Sequence, residues 1–342
     1  MRKIRVLVVE DSIMFRELLV SSINKDPALT VVGTAGDPFE ARDKIIECSP
    51  DVMTLDIEMP RMDGIEFVRK LMPQYPIPVI MVSSLSDKVF DALQAGAVDF
   101  VVKPDSLDKK SLESFLTREL PVKIKVASTA SIGKIKNGIR SRATNTRFTS
   151  QRNMIVAIGA STGGTEAIAE VIKGFGPDIP GTVIVQHMPV GFTDMFARRL
   201  NDQTRVCVKE AKNGDVVLPG TVLIAPGGNQ QMRVIRVGND YQVSLRDGHK
   251  VNGHCPSVDV LFDSVASVAG KNALGIILTG MGGDGAQGLL KMKEAGAMTI
   301  GQDESSCVVY GMPKVAYEIG AVQYQEKLGN IAKKTYMLLN NM

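Results

Sequence analysis

The sequence predicts two α/β domains, each built on a mostly parallel, doubly wound sheet. Three observations lead there. Short, nearly continuous apolar runs alternate with amphipathic stretches on both sides of the chain's middle, as strands buried between crossover helices do. Acidic, hydroxyl and imidazole side chains gather where those apolar runs end. A basic, acid-free segment interrupts the alternation once.

In chain order, IRVLVVE (4–10), LTVVGTA (29–35), DVMTLDI (51–57), PVIMVSS (78–84) and DFVVKP (99–104) read as strands. Met14–Ile23, Phe39–Cys48, Ile65–Met72 and Val89–Ala95 read as helices between them. Right-handed βαβ crossovers follow. Five such units in about 120 residues specify a flavodoxin-like (βα)5 sheet over residues 1–122. Residues 123–152, rich in Lys, Arg, Ser, Thr, Asn and Gly without periodicity, read as a flexible basic linker; attraction to an acidic partner or membrane surface is the alternative. Over 153–342 the strands are MIVAIGA (154–160), GTVIVQH (181–187), TVLIAPG (221–227), ALGIILT (273–279), MTIGQD (298–303) and AVQYQ (321–325). Helices are expected at Thr165–Lys173, Phe192–Leu200, Val258–Ala269, Gln287–Ala295 and Gly329–Leu339. Period-two alternation on either side of Gly238-Asn239-Asp240 predicts a small antiparallel hairpin beside the parallel core.

A chain of 342 residues is long enough for two separate cores. Its four cysteines, Cys48, Cys207, Cys255 and Cys307, form no C-x-x-C pair, which argues against a zinc ribbon or disulfide framework and for a reducing compartment. No apolar run nears the roughly 20 residues that span a bilayer. The start, MRKIRVLVVEDS, enters a strand without a cleavable signal, so a cytoplasmic protein is expected. The net charge of +3 is uneven. Residues 1–122 hold 15 Lys/Arg and 20 Asp/Glu, residues 123–152 hold 8 Lys/Arg and no acid, and the remainder balances. Basicity confined to one short segment is no argument for nucleic-acid binding. A DNA-binding domain would bring a basic recognition surface and a helix-turn-helix, whereas 153–342 is charge-balanced and strand-rich.

In the first domain Glu10-Asp11, Asp56, Ser83 and Lys103 all close strands, whose carboxyl ends share one sheet edge. Carboxylates crowded there need a counter-cation, and Mg²⁺ with oxygen ligands suits them. Lys103 adds a second positive charge and Ser83 a hydroxyl, so a phosphoryl group transferred to a carboxylate would be received by all three. Each residue alone is more often a helix cap or a solvated acid; the ordered set is not. VVEDS, TLDIEMPRMDG, MVSS and DFVVKP resemble the two-component receiver family. The resemblance implies that Asp56 is the phosphoacceptor and that Glu10, Asp11, Asp56 and the Glu58 carbonyl hold Mg²⁺. It further implies that Ser83 and Phe100 form the switch pair and that Lys103 contacts the phosphate. Glu10 stands where the family often has Asp, and Phe100, lacking a hydroxyl, stands where Tyr is frequent.

In the second domain Gly159-Ala160-Ser161-Thr162-Gly163 satisfies G-x-S-x-G between a strand and a helix. Ser161 is then either a nucleophile on a tight turn or part of a phosphate-binding turn. A nucleotide fingerprint fits less well, since neither G-x-G-x-x-G nor a P-loop lysine is present. Of the three histidines, His187 closes a strand and is the better base. His249 lies in a polar loop, and His254, before CPSVD, is placed to line the pocket. Asp284, in a loop with five glycines between Gly280 and Gly288, is expected to accept Nδ1–H of His187, and the Met281 amide to serve an oxyanion hole. Asp284 also fits a turn-forming Asp-Gly; its rivals Asp259 and Asp263 read as the solvated face of a helix. The order Ser…His…Asp differs from the Ser…Asp…His of α/β-hydrolases.

IGASTGG, VIVQHMPVGFT, HCPSVD and LTGMGGDGAQG resemble the catalytic domain of the CheB family of chemotaxis protein-glutamate methylesterases. The resemblance implies a triad of Ser161, His187 and Asp284 with Met281 as oxyanion donor. The implied reaction is hydrolysis of glutamate γ-methyl esters on methyl-accepting chemotaxis receptors, with deamidation of glutamines. It also implies activation through Asp56 by a CheA-type histidine kinase, the unphosphorylated receiver docking over the esterase site.

Overall fold

The computed structural model describes residues 2–84, 87–104, 109–132 and 153–342, and the chain divides into two units, Met1–Gly133 and Lys134–Met342. The first unit runs β1 (Ile4–Val9), α1 (Ile13–Lys25), β2 (Leu29–Ala35), α2 (Pro38–Cys48), β3 (Val52–Asp56), α3 (Gly64–Leu71), β4 (Val79–Ser83), α4 (Lys88–Ala95) and β5 (Asp99–Val102). It ends in α5 (Lys109–Ser114), a π-helical turn (Phe115–Glu119) and α6 (Leu120–Ala127). The sheet order is β2-β1-β3-β4-β5, all parallel, the flavodoxin-like winding. Val6–Val9, Val52–Leu55 and Val79–Val82 are buried, which is why they read as unbroken apolar runs. Helices start sharply because Ser12, Asp37 and Asp63 accept the amides of Phe15, of Phe39 and Glu40, and of Glu66. Gly64 has to be glycine, since a Cβ there would run into the Asp56 carbonyl.

The linker reading needs correction at its start. Residues 123–127 are helix, with Ile124, Val126 and Ala127 buried, and Lys123 and Lys125 pair with Asp99 and Asp26 at 2.6 Å each. These two lysines are ion-pair partners inside the first unit rather than charge on a tether. The Ser128, Thr129 and Ala130 amides donate back to the carbonyls of Ile124, Val126 and Ala127 and close the helix, and the rest of the linker reading, 133–152, lies outside the described residues.

The second unit runs β6 (Ile155–Ala160), α7 (Gly164–Lys173), β7 (Gly181–Gln186), α8 (Phe192–Gln203), β8 (Cys207–Glu210), β9 (Thr221–Ile224), β10 (Gln230–Val237) and β11 (Asp240–Asp247). It continues with α9 (Val258–Ala269), β12 (Ala273–Ile277), α10 (Ala286–Glu294), β13 (Met298–Gln302), α11 (Met312–Glu318), β14 (Tyr324–Glu326) and α12 (Leu328–Leu339). Seven parallel strands follow the order β14-β13-β12-β6-β7-β9-β8. β10 and β11 form the separate antiparallel hairpin, pairing Met232 with Leu245 and Val234 with Val243. Its inner residues Met232, Val234, Tyr241 and Val243 join the core that Leu261, Phe262 and Val265 of α9 also fill. No helix among the described residues is long and apolar enough to cross a membrane.

The carboxyl-terminal helix is tied down by a buried phenol. Tyr336 accepts from Gly176 N–H (2.7 Å) and donates to Asp178 Oδ1 (3.1 Å). Burial, reinforced by the Asp178 charge, pushes its pKa up to about 12. A folded-state value above the unfolded one of about 10 means a contribution complete below pH 10 and lost as pH rises toward 12, about 2–3 kcal/mol in all. Urea unfolding of Tyr336→Phe is expected to lack that alkaline loss. At neutral pH the variant should be less stable by about 1–3 kcal/mol, because Gly176 N–H loses its acceptor.

Candidate functional site

In the first unit the chain winds to opposite sides of β1, opening a crevice between the carboxyl ends of β1 and β3. Carboxylate oxygens of Glu10, Asp11 and Asp56 come within 4.8 Å of one another there. Lys103, just past β5, sets its ammonium 2.7 Å from Asp56 Oδ2 and 2.9 Å from Glu10 Oε2, and 5.1 Å above the Phe15 ring. Burial, with the Asp56 charge, pushes Glu10 up to about 6, and burial also raises Asp56 against the pull of Lys103. Burial works against the Lys103 charge as well, yet hydrogen bonds and charges from Asp56 and Glu10 hold its pKa above the usual value. Three carboxylates facing one ammonium leave a negative pocket of hard oxygen donors. That chemistry fits Mg²⁺, with Glu10, Asp11 and Asp56 as its holders.

Of the other first-unit residues read from sequence, Ser83 ends β4 buried, its hydroxyl donating to the Ser84 carbonyl (3.0 Å), and Phe100 is buried in β5. The Glu58 amide donates to Asp56 Oδ1 (3.3 Å) while its exposed carboxylate turns to Lys88 (3.6 Å). Only the Glu58 backbone therefore belongs to the pocket.

The second unit winds the same way. β7 lies on one side of β6 and β12 on the other, so the reversal falls at β6. Ladder bonds run past the strand ends: Ser161 N–H donates to Thr279 O (3.0 Å) and His187 N–H to Ala160 O (3.2 Å). Ser161 and His187 thus succeed the paired Ala160 and Gln186 on adjacent strands. The Ser161 carbonyl accepts from Gly164 N–H (2.7 Å) and from Gln186 Nε2 (2.9 Å), which closes the turn into α7, and the half-buried hydroxyl makes no hydrogen bond among the described residues. Gly280 presses on Ser161: a Cβ there would lie 2.8 Å from Ser161 Cβ. The next amide, of Met281, makes no hydrogen bond among the described residues, and the Met281 side chain is exposed.

Asp284 is buried and accepts five hydrogen bonds. Oδ2 takes His187 Nε2 (2.8 Å) and Val258 N (2.8 Å); Oδ1 takes Ser257 Oγ (2.7 Å), Asn252 Nδ2 (3.1 Å) and Asp259 N (3.2 Å). Val258 and Asp259 open α9, so the carboxylate sits where a helix N-terminus offers unpaired N–H groups. Burial opposes its charge, yet the hydrogen bonds, that from His187 foremost, hold its pKa well below the usual carboxylate range. The expected pairing through Nδ1 is corrected here, because Nε2 faces the carboxylate. Asp284, anchored on α9, meets the outer end of the ring. The backbone-side Nδ1 is left buried and without a hydrogen-bond partner among the described residues. An ionised Asp284 only accepts, so Nε2 carries the proton and Nδ1 the lone pair.

His249 is exposed, whereas His254 stacks on His187 with centroids 3.7 Å apart and planes within 6°. Asp263 is on a solvated face, paired with Lys291 at 2.5 Å. Asp259 is not: it accepts from Gly288 N and Asn252 Nδ2, both at 2.6 Å, and burial raises its pKa. Asn252, Ser257, Gln186 and Phe15 did not stand out in the sequence. The Asn252-Gly253 pair signals a turn and Ser257 a helix cap, but nothing local marks what either would cap.

An acidic pocket on a 2-1-3-4-5 sheet, joined in one chain to a parallel α/β unit with serine, imidazole and carboxylate at one edge, defines a response regulator with an enzymatic output. The receiver-domain model of response regulators matches residues 6–113 and the CheB methylesterase model residues 156–335. The chain is 58% identical to a protein-glutamate methylesterase/protein-glutamine glutaminase of Syntrophomonas wolfei, covering 100% of this chain and 99% of that one. A similarly named protein of Syntrophotalea carbinolica is 52% identical, with 99% and 98% covered. The crystal structure of the Thermotoga maritima CheB methylesterase catalytic domain matches with a TM-score of 0.53 and 38% identity, over 54% of this chain and 98% of that one. The chain belongs to the CheB methylesterase family.

Proposed function

We propose that the chain hydrolyses glutamate γ-methyl esters on chemotaxis receptors, deamidates receptor glutamines at the same site, and is activated by phosphorylation at Asp56. The observation that carries the reading is the polarity of His187. Its Nε2–H is fixed on Asp284 and its Nδ1 lone pair has no partner, one position along the sheet edge from Ser161. Ser161 Oγ attacks the ester carbonyl while Nδ1 takes its proton, and Asp284 balances the imidazolium. The tetrahedral oxyanion accepts from the Met281 amide, and collapse releases methanol as Nδ1 returns the proton to the leaving oxygen. Water, deprotonated by Nδ1, then cleaves the acyl-enzyme to a receptor carboxylate and free serine. An amide presents the same acyl centre and releases ammonia.

The phosphoryl donor in this reading is a CheA-type histidine kinase. Glu10, Asp11 and Asp56 would hold Mg²⁺, whose charge would offset that of the phosphoryl group; Asp56 accepts that group, and Lys103 holds its oxygens. The test is methanol release from methylated receptor membranes with and without a small-molecule phosphodonor. Stimulation by the donor is expected in the natural chain and absent in Asp56→Asn, which keeps its basal rate. Equal stimulation of both proteins would remove Asp56 from the regulation.

A further inference from the structure

The loop from β11 to α9 closes on itself beside the triad. Val251 and His254 exchange backbone hydrogen bonds of 2.9 Å across a turn at Asn252-Gly253, whose φ angles are 52° and 84°. Asparagine tolerates this left-handed backbone better than most residues. Its side-chain amide reaches back to Asp284 Oδ1 (3.1 Å) and Asp259 Oδ2 (2.6 Å). Asp259 is fixed in turn by Gly288 N–H, and Gln231 Nε2 holds the carbonyls of His249 (3.0 Å) and His254 (3.4 Å). The outcome of these bonds is the His254 ring lying flat on His187.

We propose that residues 251–254 are a clasp in which Asn252 fastens to the triad carboxylate and His254 sets the plane of the His187 ring, making both positioning residues for the base. The inference rests on the reading of His187 as that base. Among the described residues His187 has one side-chain hydrogen bond, through Nε2. A ring held at one end swings about that bond, and the swing carries Nδ1 away from the serine. A flat partner 3.7 Å away removes that rotation while leaving Nδ1 without a hydrogen bond among the described residues. Because Asn252 grips the same carboxylate that binds Nε2, the stack and the hydrogen bond are registered to one anchor.

Two rates on the full chain test this: methanol release from methylated receptor membranes, resolved into kcat and KM, and covalent labelling of Ser161 by a fluorophosphonate. The second reports activation of the serine without a receptor. His254→Ala is expected to lower kcat about 10- to 100-fold with KM within about twofold, and to slow labelling in parallel. His254→Phe, which restores a flat ring, should recover most of the loss. Asn252→Gly, which suits the positive φ and leaves the space under the ring filled, should lose kcat in the same way. Unchanged kcat and labelling in His254→Ala, or no recovery with His254→Phe, would overturn the clasp. If the natural chain labels but releases no methanol, the substrate reading fails, and the labelling rates alone decide the clasp.

Discussion

Ser161→Ala is expected to lower kcat for methanol release by on the order of 10⁴- to 10⁶-fold, with receptor binding and thermal midpoint nearly unchanged. The two halves of that expectation have separate causes. Loss of activity follows because, in the proposed mechanism, Ser161 Oγ is the atom that forms the acyl bond. Retention of the fold follows because the structural bonds of Ser161 are made by its backbone: its N–H to Thr279 and its carbonyl to Gly164 and Gln186. Its Oγ makes no hydrogen bond among the described residues, so removing it leaves no buried group unsatisfied. Methanol release and fluorophosphonate labelling should disappear together. A variant within about tenfold of the natural rate would exclude a serine nucleophile.

Asp284→Asn is expected to cost about 10⁴-fold in kcat, and unlike the serine change it should also destabilise the fold. The five groups that meet Asp284 are all donors. However an amide is turned, its NH₂ faces donors: His187 and Val258 on one side, or Ser257, Asn252 and Asp259 on the other. Relief at His187 requires moving the ring proton from Nε2 to Nδ1, which uses up the lone pair that serves as base in the proposed mechanism. Relief on the other side leaves buried N–H or O–H groups unpaired, at about 1–3 kcal/mol. The pH dependence fixes the sign. The Asp284 pKa lies below its unfolded value, so its contribution to stability is full above about pH 4 and lost as pH falls through the lower folded value. Natural and substituted chains should therefore converge in stability under acid, and urea unfolding between about pH 2 and 7 measures the convergence.

Much of this architecture was legible because buried parallel strands leave an unmistakable trace. β6, β7 and β12 are fully buried and read as unbroken apolar runs, which places their carboxyl ends, and so Ser161 and His187, to within a residue. Elements with weaker burial escaped. β8, with the sequence CVKE, is an edge strand whose alternate residues are exposed. α11 has seven residues and a proline in its first turn, too short for its period to register. The linker reading divides α6, because the basic, acid-free run opens with two lysines, Lys123 and Lys125, inside it. Pro121 follows directly on the π-helical turn inside one continuous helical run, and both lysines are paired. The choice of ring nitrogen on His187, the role of Asp259 and the stack of His254 have no sequence signature. They depend on where α9 starts relative to a loop far along the chain.

That dependence has a consequence in time. Within the second unit a ribosome delivers β6 and β7 first, and with them the serine and the histidine, neighbours on one sheet edge. β6 then waits for its other neighbour, β12, and the imidazole for its carboxylate, until most of the chain has emerged. A nascent or prematurely ended polypeptide therefore carries the proposed nucleophile and base without the carboxylate proposed to fix the proton between them. In that mechanism competence arrives with the last third of the molecule, and unfinished chains are expected to be inert.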